Sequence, residues 1–401
     1  MIRIFYYEDL NKGQKEGVGI LTEWNQYHPT QYIDVTGGAG TGKSTFLNVA
    51  ISRMGYKPHE VLYCTYVGQA SLVLRMKGHN SKTIHSSIYD LVDDFLTDES
   101  GSYILSRDNK RIPTKKFVLK ESLGPHIKLI VVDEASMVPE NIARDLLSFG
   151  IPVVAVGDLN QLGPIFGKGL FLRNPQVNLR EIMRQAKDSP IVKLAHMALN
   201  GYDIPVGLYG NCAVLYESQI TKAMYMNSSI LICGKNDTRN RLNKYMREDI
   251  FDRKGILPVK GDKVICRKNN WQTMRGDIAL VNGMTGTVNE HIDLSSFNPS
   301  AKTFNMSFQP DLMKDDYFED LLIDYEFFIT PSSTDKVANR YNMGNKFEYG
   351  YATTVHLAQG SEYLAPMVFE EILNYAKHKN WLYTAITRAI AMIIIVKRDR
   401  R

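Results

Sequence analysis

Short apolar runs alternate with segments of helical periodicity over the first part of the chain. The apolar runs predict strands at 31–36, 60–65, 127–132 and 151–156. The periodic segments between them predict helices at 43–54, 68–77 and 139–148. Because strands that alternate with helices usually pair in parallel, with helices on both faces of the sheet, this pattern predicts an α/β domain.

A second alternating set fills the last part of the chain. Its predicted strands are 229–233, 349–355, 365–369 and 391–396, and its predicted helices are 236–249 and 377–389. This set indicates a second α/β domain. Residues 260–345 separate its two halves and are rich in short β segments and in turns such as Asn282-Gly283, so we expect a small inserted β-barrel there.

Residues 87–122 interrupt the first α/β set. Apolar residues at 103–106 and 116–119 flank a charged stretch from Arg107 to Arg111, which is typical of a β-hairpin with a charged tip. Such an insertion is either decoration of the sheet or a functional device. The predicted units are therefore a first domain at 1–170, a second domain made of 171–259 and 346–401, and a barrel at 260–345.

Composition narrows the class of protein only slightly. The chain has 401 residues, enough for about two or three domains, and its 44% hydrophobic and 23% charged residues are ordinary for a globular protein. A net charge of +5 permits a polyanionic partner but is too small to establish one. The four cysteines lie far apart, which favours buried thiols over a zinc site or disulfides. Without a signal peptide or a membrane-length apolar run, we expect a protein of the reducing cytoplasm.

The segment from Gly37 to Ser44 fits the phosphate-binding loop pattern G-x-x-x-x-G-K-[ST] and lies between a predicted strand and a predicted helix. Its glycines let backbone N–H groups and the helix N-terminus face an oligophosphate. Lys43 is expected to reach the β- and γ-phosphates, and the Ser44 hydroxyl to bind Mg²⁺. A glycine-rich turn without a nucleotide is the alternative, which the flanking elements disfavour. The expected ATP-binding residues are Gly37, Gly38, Ala39, Gly40, Thr41, Gly42, Lys43, Ser44 and Thr45.

Two further predicted strands end in polar residues, where ligands of parallel sheets bind. Asp133 and Glu134 follow the apolar run 129–132. Asp133 is a candidate Mg²⁺ ligand, and Glu134 is a candidate base for the water that attacks the γ-phosphate. Gln161 follows the next strand and is a candidate contact to the γ-phosphate or to that water. A polar turn after a core strand is the alternative for each; together with the phosphate-binding loop they predict ATP hydrolysis.

In this order, these segments resemble the superfamily 1 helicases, specifically the RecD-like and phage Dda-like branch. The resemblance also rests on the segments Leu10 to Gln14, Thr83 to Ser86, Glu181 to Gln185, Thr353 to Glu362 and Tyr383 to Ala389, and on 261–264 and 281–283. It implies an α/β fold of two RecA-like, parallel-sheet P-loop domains, with an inserted β-hairpin that acts as a pin and an inserted small β-barrel.

The resemblance also implies roles for individual residues. Gln14 would hydrogen-bond the adenine base, Arg184 and Arg388 would reach the γ-phosphate from the second domain, and Gly360 and Glu362 would join the nucleotide site. The implied catalytic set is Lys43, Glu134, Gln161, Arg184 and Arg388. The candidates for gripping DNA are Thr65, Tyr66, His85, Phe166, Thr354 and His356.

Three departures from the family pattern concern DNA contacts and the third motif. Val67 and Gln69 stand where relatives often carry a hydroxyl and a cation, Leu357 stands at a usually basic position, and Gly163 replaces one of two common prolines. None of these changes touches the hydrolytic residues. They leave open a single-strand translocase that does not unwind, beside the main reading of an ATP-dependent 5′→3′ DNA helicase. A nucleotide-switched loading protein is a third reading, which the full hydrolytic set disfavours.

The expected partners are single-stranded DNA and junctions between single-stranded and duplex DNA, with replication or recombination proteins as further candidates and no membrane. The 5′→3′ polarity comes from the resemblance alone. We expect a cytoplasmic monomer, and the phage-like spelling of the motifs admits a phage-encoded protein that acts in the host cytoplasm.

Overall fold

The computed structural model describes residues 6–95, 97, 100–103, 109–111, 113–164, 167–183, 188–276, 278–300, 302–313, 316–329 and 344–399. Within these ranges the chain forms two six-stranded sheets, a closed barrel and two two-stranded ribbons. No helix in the described ranges combines the length and the hydropathy needed to cross a membrane.

The first sheet is parallel throughout and contains all four strands predicted for the first domain. Its strands are β1 (Tyr32–Gly37), β2 (Val61–Thr65), β3 (Ser81–Thr83), β6 (Leu129–Asp133), β7 (Val153–Gly157) and β8 (Val177–Leu179), in the spatial order β3-β2-β6-β7-β1-β8. β8 pairs with β1, although it follows residue 170, at which the sequence pattern ended this domain.

Helices cover both faces of the first sheet, as the alternating pattern predicted. They are α1 (Lys12–Tyr27), α2 (Lys43–Arg53), α3 (Gly68–Met76), α4 (Ile84–Ile88) and α5 (Glu140–Leu147). Val18, Leu21 and Phe46 of α1 and α2 lie in the core of one face, and Ile88 and Leu146 of α4 and α5 lie in the core of the other. The pattern did not predict α1, which begins at a capping box formed by Asn11 and Gln14.

The insertion of the first domain contains an antiparallel ribbon, β4 (Tyr89–Phe95) paired with β5 (Pro113–Leu119). The predicted second strand at 116–119 is confirmed, but the predicted pairing with 103–106 was wrong. Residues 116–119 pair with 89–92, because the ribbon starts directly after α4 and its base is held to the domain by the Tyr89 hydroxyl, which donates a hydrogen bond to the Asp145 carboxylate. Residues 104–106 lie outside the described ranges.

The second sheet is parallel except at one edge, where β9 runs antiparallel to β10. Its strands are β9 (Gly207–Tyr209), β10 (Cys212–Tyr216), β11 (Ile230–Cys233), β19 (Ala352–Thr354), β20 (Pro366–Phe369) and β21 (Ile394–Lys397), in the order β19-β11-β20-β21-β10-β9. Its helices are α6 (Pro190–Leu199), α7 (Lys222–Asn227), α8 (Asn236–Tyr245) with a π-helical extension Met246–Ile250, α10 (Val355–Ala358) and α11 (His378–Ile386). The sequence pattern missed α6, α7, β9 and β10.

The barrel that separates the halves of the second domain is closed by five strands. These are β12 (Lys263–Cys266), β15 (Thr285–Val288), β16 (Thr303–Pro310), β17 (Phe318–Asp324) and β18 (Asn345–Tyr349), with the short helix α9 (Glu326–Ile329) and a side ribbon of β13 (Asn270–Arg275) and β14 (Ile278–Leu280). Phe304, Phe308 and Phe347 are fully buried in its core. The single strand predicted at 349–355 is divided here: β18 closes the barrel and β19 joins the second sheet.

A buried aspartate fastens the barrel to the second domain. Asp262, at the start of the barrel, accepts hydrogen bonds from Arg247 at 3.1 Å, from Arg253 at 2.7 Å and from the Tyr351 hydroxyl at 2.6 Å. Asp262 is fully buried, and these hydrogen bonds compensate for the water that its carboxylate loses.

A second buried aspartate, Asp34 in the middle of β1, is far less well partnered. Its Oδ1 atom has no hydrogen-bond partner, and its residue is 1% exposed. Burial raises the pKa of Asp34 to about 6. This value lies above the pKa of an aspartate in the unfolded chain, which is about 4. The folded state therefore loses stability as the pH rises from about 4 to about 6.

We therefore expect Asp34→Asn to raise the free energy of unfolding by about 1–3 kcal/mol at pH 8, and by much less at pH 4, where the carboxyl is protonated in the folded parent and about half protonated in the unfolded chain. Denaturant unfolding at a series of pH values measures this difference. Asp252→Asn, at an exposed carboxylate, is the control and should change stability by no more than about 0.5 kcal/mol at either pH. A gain for Asp34→Asn that does not vary with pH would contradict the assignment.

Candidate functional site

The phosphate-binding loop runs from the end of β1 to the start of α2 and takes the backbone form that its glycines allow. Gly40 and Gly42 have φ angles of 77° and 74°, in the left-handed region that favours glycine. The Lys43 ammonium donates to the backbone oxygens of Gly37, at 2.7 Å, and Gly38, at 3.3 Å. These carbonyls lie in the loop itself, so the ammonium is held beside the backbone that would surround a phosphate.

Chain segments from both ends of the first domain hold this loop in place. Gln14 is buried, and its amide donates to the Thr41 carbonyl at 3.1 Å and accepts from the Asn11 backbone N–H at 3.1 Å. The Met183 backbone N–H donates to the Gly40 carbonyl at 2.8 Å. Gln14 thus lies beside the phosphate-binding loop with both ends of its amide bonded within the protein, and its predicted hydrogen bond to adenine stays a prediction.

The two predicted carboxylates lie at the carboxyl end of β6. Asp133 Oδ1 accepts the backbone N–H of Glu134 at 2.9 Å, and Glu134 itself has a left-handed backbone with a φ angle of 52°. Burial raises the pKa of both carboxyl groups, and the positive charge of Lys43 acts in the opposite direction on each. The strained backbone of Glu134 turns its side chain away from the strand direction and into the cleft between the two sheets.

Arg388, from the second domain, reaches this carboxylate pair. Its Nη1 atom lies 3.9 Å from Glu134 Oε1, and its guanidinium, 4% exposed, donates to the carbonyls of Thr384 at 3.1 Å and Ser361 at 3.3 Å. Arg388 is the largest influence that opposes the effect of burial on the pKa of Glu134. The structure therefore brings together Lys43, Asp133, Glu134 and Arg388, from two sheets.

Gln161 lies in the loop 158–162 that follows β7, next to the same cleft. Its Oε1 atom is buried and has no hydrogen-bond partner, which leaves an acceptor available for a ligand or water. Asp158 is buried in this loop and accepts the Asn160 N–H at 2.9 Å. The loop is further held by Gln359, whose amide donates to the Leu162 carbonyl at 2.9 Å.

The remaining predicted nucleotide residues take two different positions. Ser44 is exposed at the start of α2, and Thr45 is half-buried. Gly360 packs on α3 of the first domain: a Cβ atom there would lie 2.7 Å from the Ala70 Cβ. Glu362 is exposed beside it. Arg184 and Phe166, predicted for catalysis and for base stacking, lie outside the described residues.

Among the predicted DNA-gripping residues, Tyr66 and His85 are brought together. Their ring centroids are 5.7 Å apart, and His85 also lies 5.8 Å from the rings of Tyr89 and Phe117. Burial lowers the pKa of His85, which favours the neutral ring. Thr65, by contrast, is fully buried, and its hydroxyl donates to the Val67 carbonyl at 2.8 Å.

In the second domain, Thr354 is buried and His356 is half-buried at the start of α10, where burial lowers the pKa of His356. Of the positions that depart from the family pattern, Gln69 is 5% exposed with an unpartnered Oε1 atom, and Leu357 is half-buried.

A cavity of about 340 Å³ lies between the base of the β4–β5 ribbon and the β13–β14 ribbon of the barrel. It combines aromatic rings, apolar side chains and cations, and its lining includes Arg75, Lys82, His85, Tyr89, Phe117, Lys120, Trp271, Met274 and Ile278. Sequence reasoning named only His85 of this set. Phe117 fell inside the predicted hairpin, but no motif marks Trp271, which reaches the cavity only because the barrel folds against the first domain.

Two family models match the chain. The model described as AAA domain matches residues 9–210, and the model described as UvrD-like helicase C-terminal domain matches residues 349–396. The ATP-dependent RecD2 DNA helicase of Deinococcus radiodurans is 30% identical over 178 residues, which are 42% of this chain and 22% of that protein. The match thus spans less than a quarter of this curated relative.

Solved helicase structures share the fold over nearly the whole chain. A structure of two Pif1 helicases coordinating at forked duplex DNA has a TM-score of 0.56 at 17% identity, covering 96% of this chain and 92% of that one. A Bacteroides Pif1 helicase in complex with ADP-AlF3 and single-stranded DNA has a TM-score of 0.53 at 15% identity, with the same coverage. These likenesses confirm the predicted RecA-like helicase fold with its parallel-sheet core, and the predicted barrel is present as a closed five-stranded one.

The crowding around Gly42 generates a test of the phosphate-binding loop. A Cβ atom at Gly42 would lie 2.9 Å from Gln14 Nε2 and 3.2 Å from Met183 Cγ, whereas at Gly55, which also has a positive φ angle, it would meet nothing within 4 Å. We expect Gly42→Ala to weaken nucleotide binding at least about tenfold, and Gly55→Ala to cost only about 1 kcal/mol of stability. Titration with a fluorescent ADP analogue, beside thermal unfolding, compares the two variants. Equal nucleotide affinities would show that this packing does not support the loop.

Proposed function

We propose that this chain, which belongs to the AAA domain family and to the superfamily 1 helicases, is an ATP-driven motor that moves 5′→3′ along single-stranded DNA and separates the duplex ahead of it. The observation that carries the proposal is the cleft between the two sheets. There, Lys43 and Glu134 of the first domain lie beside Arg388 of the second, 3.9 Å from Glu134. A hydrolytic set divided in this way is complete only when the two domains are together.

Glu134 and Gln161 act on the attacking water in this proposal. The Glu134 carboxylate takes a proton from the water as it attacks the γ-phosphate, since its raised pKa makes it a better base than an exposed glutamate. The unpartnered Oε1 of Gln161 accepts a hydrogen bond from that water and orients it. Lys43 leaves the carbonyls of its own loop and donates to the β- and γ-phosphates.

Arg388 stabilises the charge that develops on the γ-phosphate. Arginines supplied to such sites raise rates by about 10³–10⁵-fold in other enzymes that transfer phosphoryl groups. We assign the same role to Arg184, and base recognition to Gln14, from the family resemblance. Gly360 and Glu362 join the nucleotide site on the same basis.

The donor set at the cleft fits Mg²⁺. A serine hydroxyl and one aspartate, here Ser44 and Asp133, are oxygen donors of the kind that Mg²⁺ prefers, with substrate phosphates as the remaining ligands. When bound, Mg²⁺ would neutralise phosphate charge.

Single-stranded DNA is the ligand that best suits the cavity between the two ribbons. Base stacking needs exposed rings and phosphate contacts need cations. Phe117 is 53% exposed, Trp271 is half-buried, and Lys82 is an exposed cation at the same cavity. The cavity continues the Tyr66–His85 pair that the sequence marked for DNA contact. We propose that the bound DNA strand also passes Thr354 and His356 of the second domain.

The β4–β5 ribbon is the candidate pin that separates the strands. It exposes Leu91 on the face that carries Phe117 and Val118 on the opposite face, and Arg111 stacks 4.1 Å from the ring centroid of Tyr103. Exposed apolar side chains on a ribbon anchored at its base by Tyr89 can take the place of a lost base partner. The solved Pif1 structures bound to single-stranded and forked DNA support DNA as the partner, and the RecD-like resemblance supports the polarity.

Strand displacement on duplexes with a 5′ or a 3′ single-stranded tail tests the function. We expect ATP-dependent displacement of the 5′-tailed duplex alone. Glu134→Gln is the matched inactive variant: it should bind nucleotide and DNA but hydrolyse ATP about 10²–10⁴-fold more slowly, because the water loses its base. Stimulated hydrolysis without displacement on either duplex would support the translocase reading, and partner recruitment that survives Glu134→Gln would support the loading protein.

The stacking role of the cavity has its own test. We expect Phe117→Ala to weaken binding of a short oligothymidine about 5–150-fold, which corresponds to the about 1–3 kcal/mol that one stacked base contributes. Tyr202→Ala, which removes an exposed ring from the second domain, is the control and should leave affinity unchanged. Fluorescence anisotropy at several salt concentrations measures both. Equal affinities for the two variants would remove the cavity from the DNA path.

A further inference from the structure

Tyr383, at the centre of α11, connects the second domain to the phosphate-binding loop. Its hydroxyl accepts the Ala39 backbone N–H at 2.7 Å and donates to Asp158 Oδ2 at 2.6 Å. Tyr383 and Asp158 are both buried, at 0% and 1% exposed. One hydroxyl thus bridges two segments of the first domain, the phosphate-binding loop and the end of β7, from a helix of the second domain.

Neighbouring residues of α11 bind the same part of the first domain. Asn380 Nδ2 donates to the Asn160 carbonyl at 2.9 Å, and Thr384 Oγ1 accepts the Leu162 N–H at 3.0 Å. Residues three and four apart share one face of a helix. The face that carries Asn380, Tyr383 and Thr384 is therefore docked on the loop 158–162, with Tyr383 reaching past it to Ala39.

The same helix positions Arg388. The Arg388 guanidinium donates through Nε to the Thr384 carbonyl at 3.1 Å, so its place depends on how α11 is seated. Glu134, 3.9 Å away, lies on the first domain. A contact that seats α11 therefore sets the distance between an arginine of one domain and a carboxylate of the other.

We propose that Tyr383 is a positioning residue that senses the phosphate-binding loop and holds Arg388 in register with Glu134. The proposal rests on the hydrolytic function proposed above. Burial and the neighbouring Asp158 raise the pKa of Tyr383, so the hydroxyl stays protonated and donates a hydrogen bond to the carboxylate. A change at Ala39 when phosphate enters or leaves the loop is passed through this hydroxyl to α11, and from α11 to Arg388.

A matched pair of tyrosines allows a clean test. Tyr351 is also buried in the second domain and also donates its hydroxyl to a buried aspartate, Asp262, at 2.6 Å, but it lies at the barrel junction. Tyr383→Phe and Tyr351→Phe each remove one oxygen and leave one buried carboxylate short of a donor. We expect similar losses of thermal stability from the two variants.

The rate of ATP hydrolysis should differ between the two variants. With saturating single-stranded DNA, we expect Tyr383→Phe to lower kcat for ATP hydrolysis about 10–100-fold while its affinity for a fluorescent ADP analogue stays within about threefold, because one buried hydrogen bond to a charged group is lost. Tyr351→Phe should retain kcat within about twofold. A kcat for Tyr383→Phe within twofold of the parent, or an equal loss in Tyr351→Phe, would overturn the proposal.

Hydrogen exchange on the nucleotide-free chain makes the test independent of hydrolysis. We expect the peptide that contains Ala39 to exchange at least about tenfold faster in Tyr383→Phe than in the parent, and at the parental rate in Tyr351→Phe. Unchanged exchange would overturn the proposal even if the chain is an active motor. If the parent hydrolyses no ATP but the exchange difference is present, the hydrolytic function fails and the bridge itself stands.

Discussion

The arrangement of the two domains depends on the charges at the carboxyl edge of the first sheet. Asp133 and Glu134 are neighbours in sequence and are half-buried where β6 ends, and their partial burial raises the pKa of both. Lys43 offsets this effect from within the first domain, but the larger offset for Glu134 comes from Arg388. Arg388 thus favours the charged form of Glu134 from the second domain, whereas the groups that favour charged Asp133 all belong to the first, and the contact between domains becomes part of the chemistry through Glu134.

The fold meets this requirement by placing distant segments at the carboxyl edge of a parallel sheet. The phosphate-binding loop follows β1, the acidic pair follows β6 and the loop of Gln161 follows β7, and β6, β7 and β1 are adjacent in the sheet. Residues about a hundred positions apart thereby face one cleft, as is general for this architecture. The Lys43 ammonium donates to the carbonyls of Gly37 and Gly38, so the phosphate-binding loop already holds its cation in place.

Local patterns explain why much of this could be predicted from sequence. A phosphate-binding loop, an apolar strand with two acidic residues and the alternation of strands and helices each depend on residues close in the chain. What could not be predicted depends on pairing at a distance: the register of Tyr89 with Leu119, the closure of the barrel by β18, and the approach of Trp271 to Phe117. The predicted pairing of 103–106 with 116–119 was wrong because an apolar run does not identify its partner strand, and 116–119 pair with 89–92 instead.

Helix α3 contacts both the barrel and the second domain, and so lies between the two candidate sites. At its start, a Cβ atom on Gly68 would lie 2.6 Å from Val281 of the barrel, and Ala70 packs directly against Gly360 of the second domain. The barrel is in turn fastened to the second domain through Asp262. A movement of the second domain that carried the barrel with it would shift both Gly360 and Val281 against α3. Gly68 and Val281 both line the aromatic cavity, so such a movement would change the width of the nucleotide cleft and the shape of the cavity together.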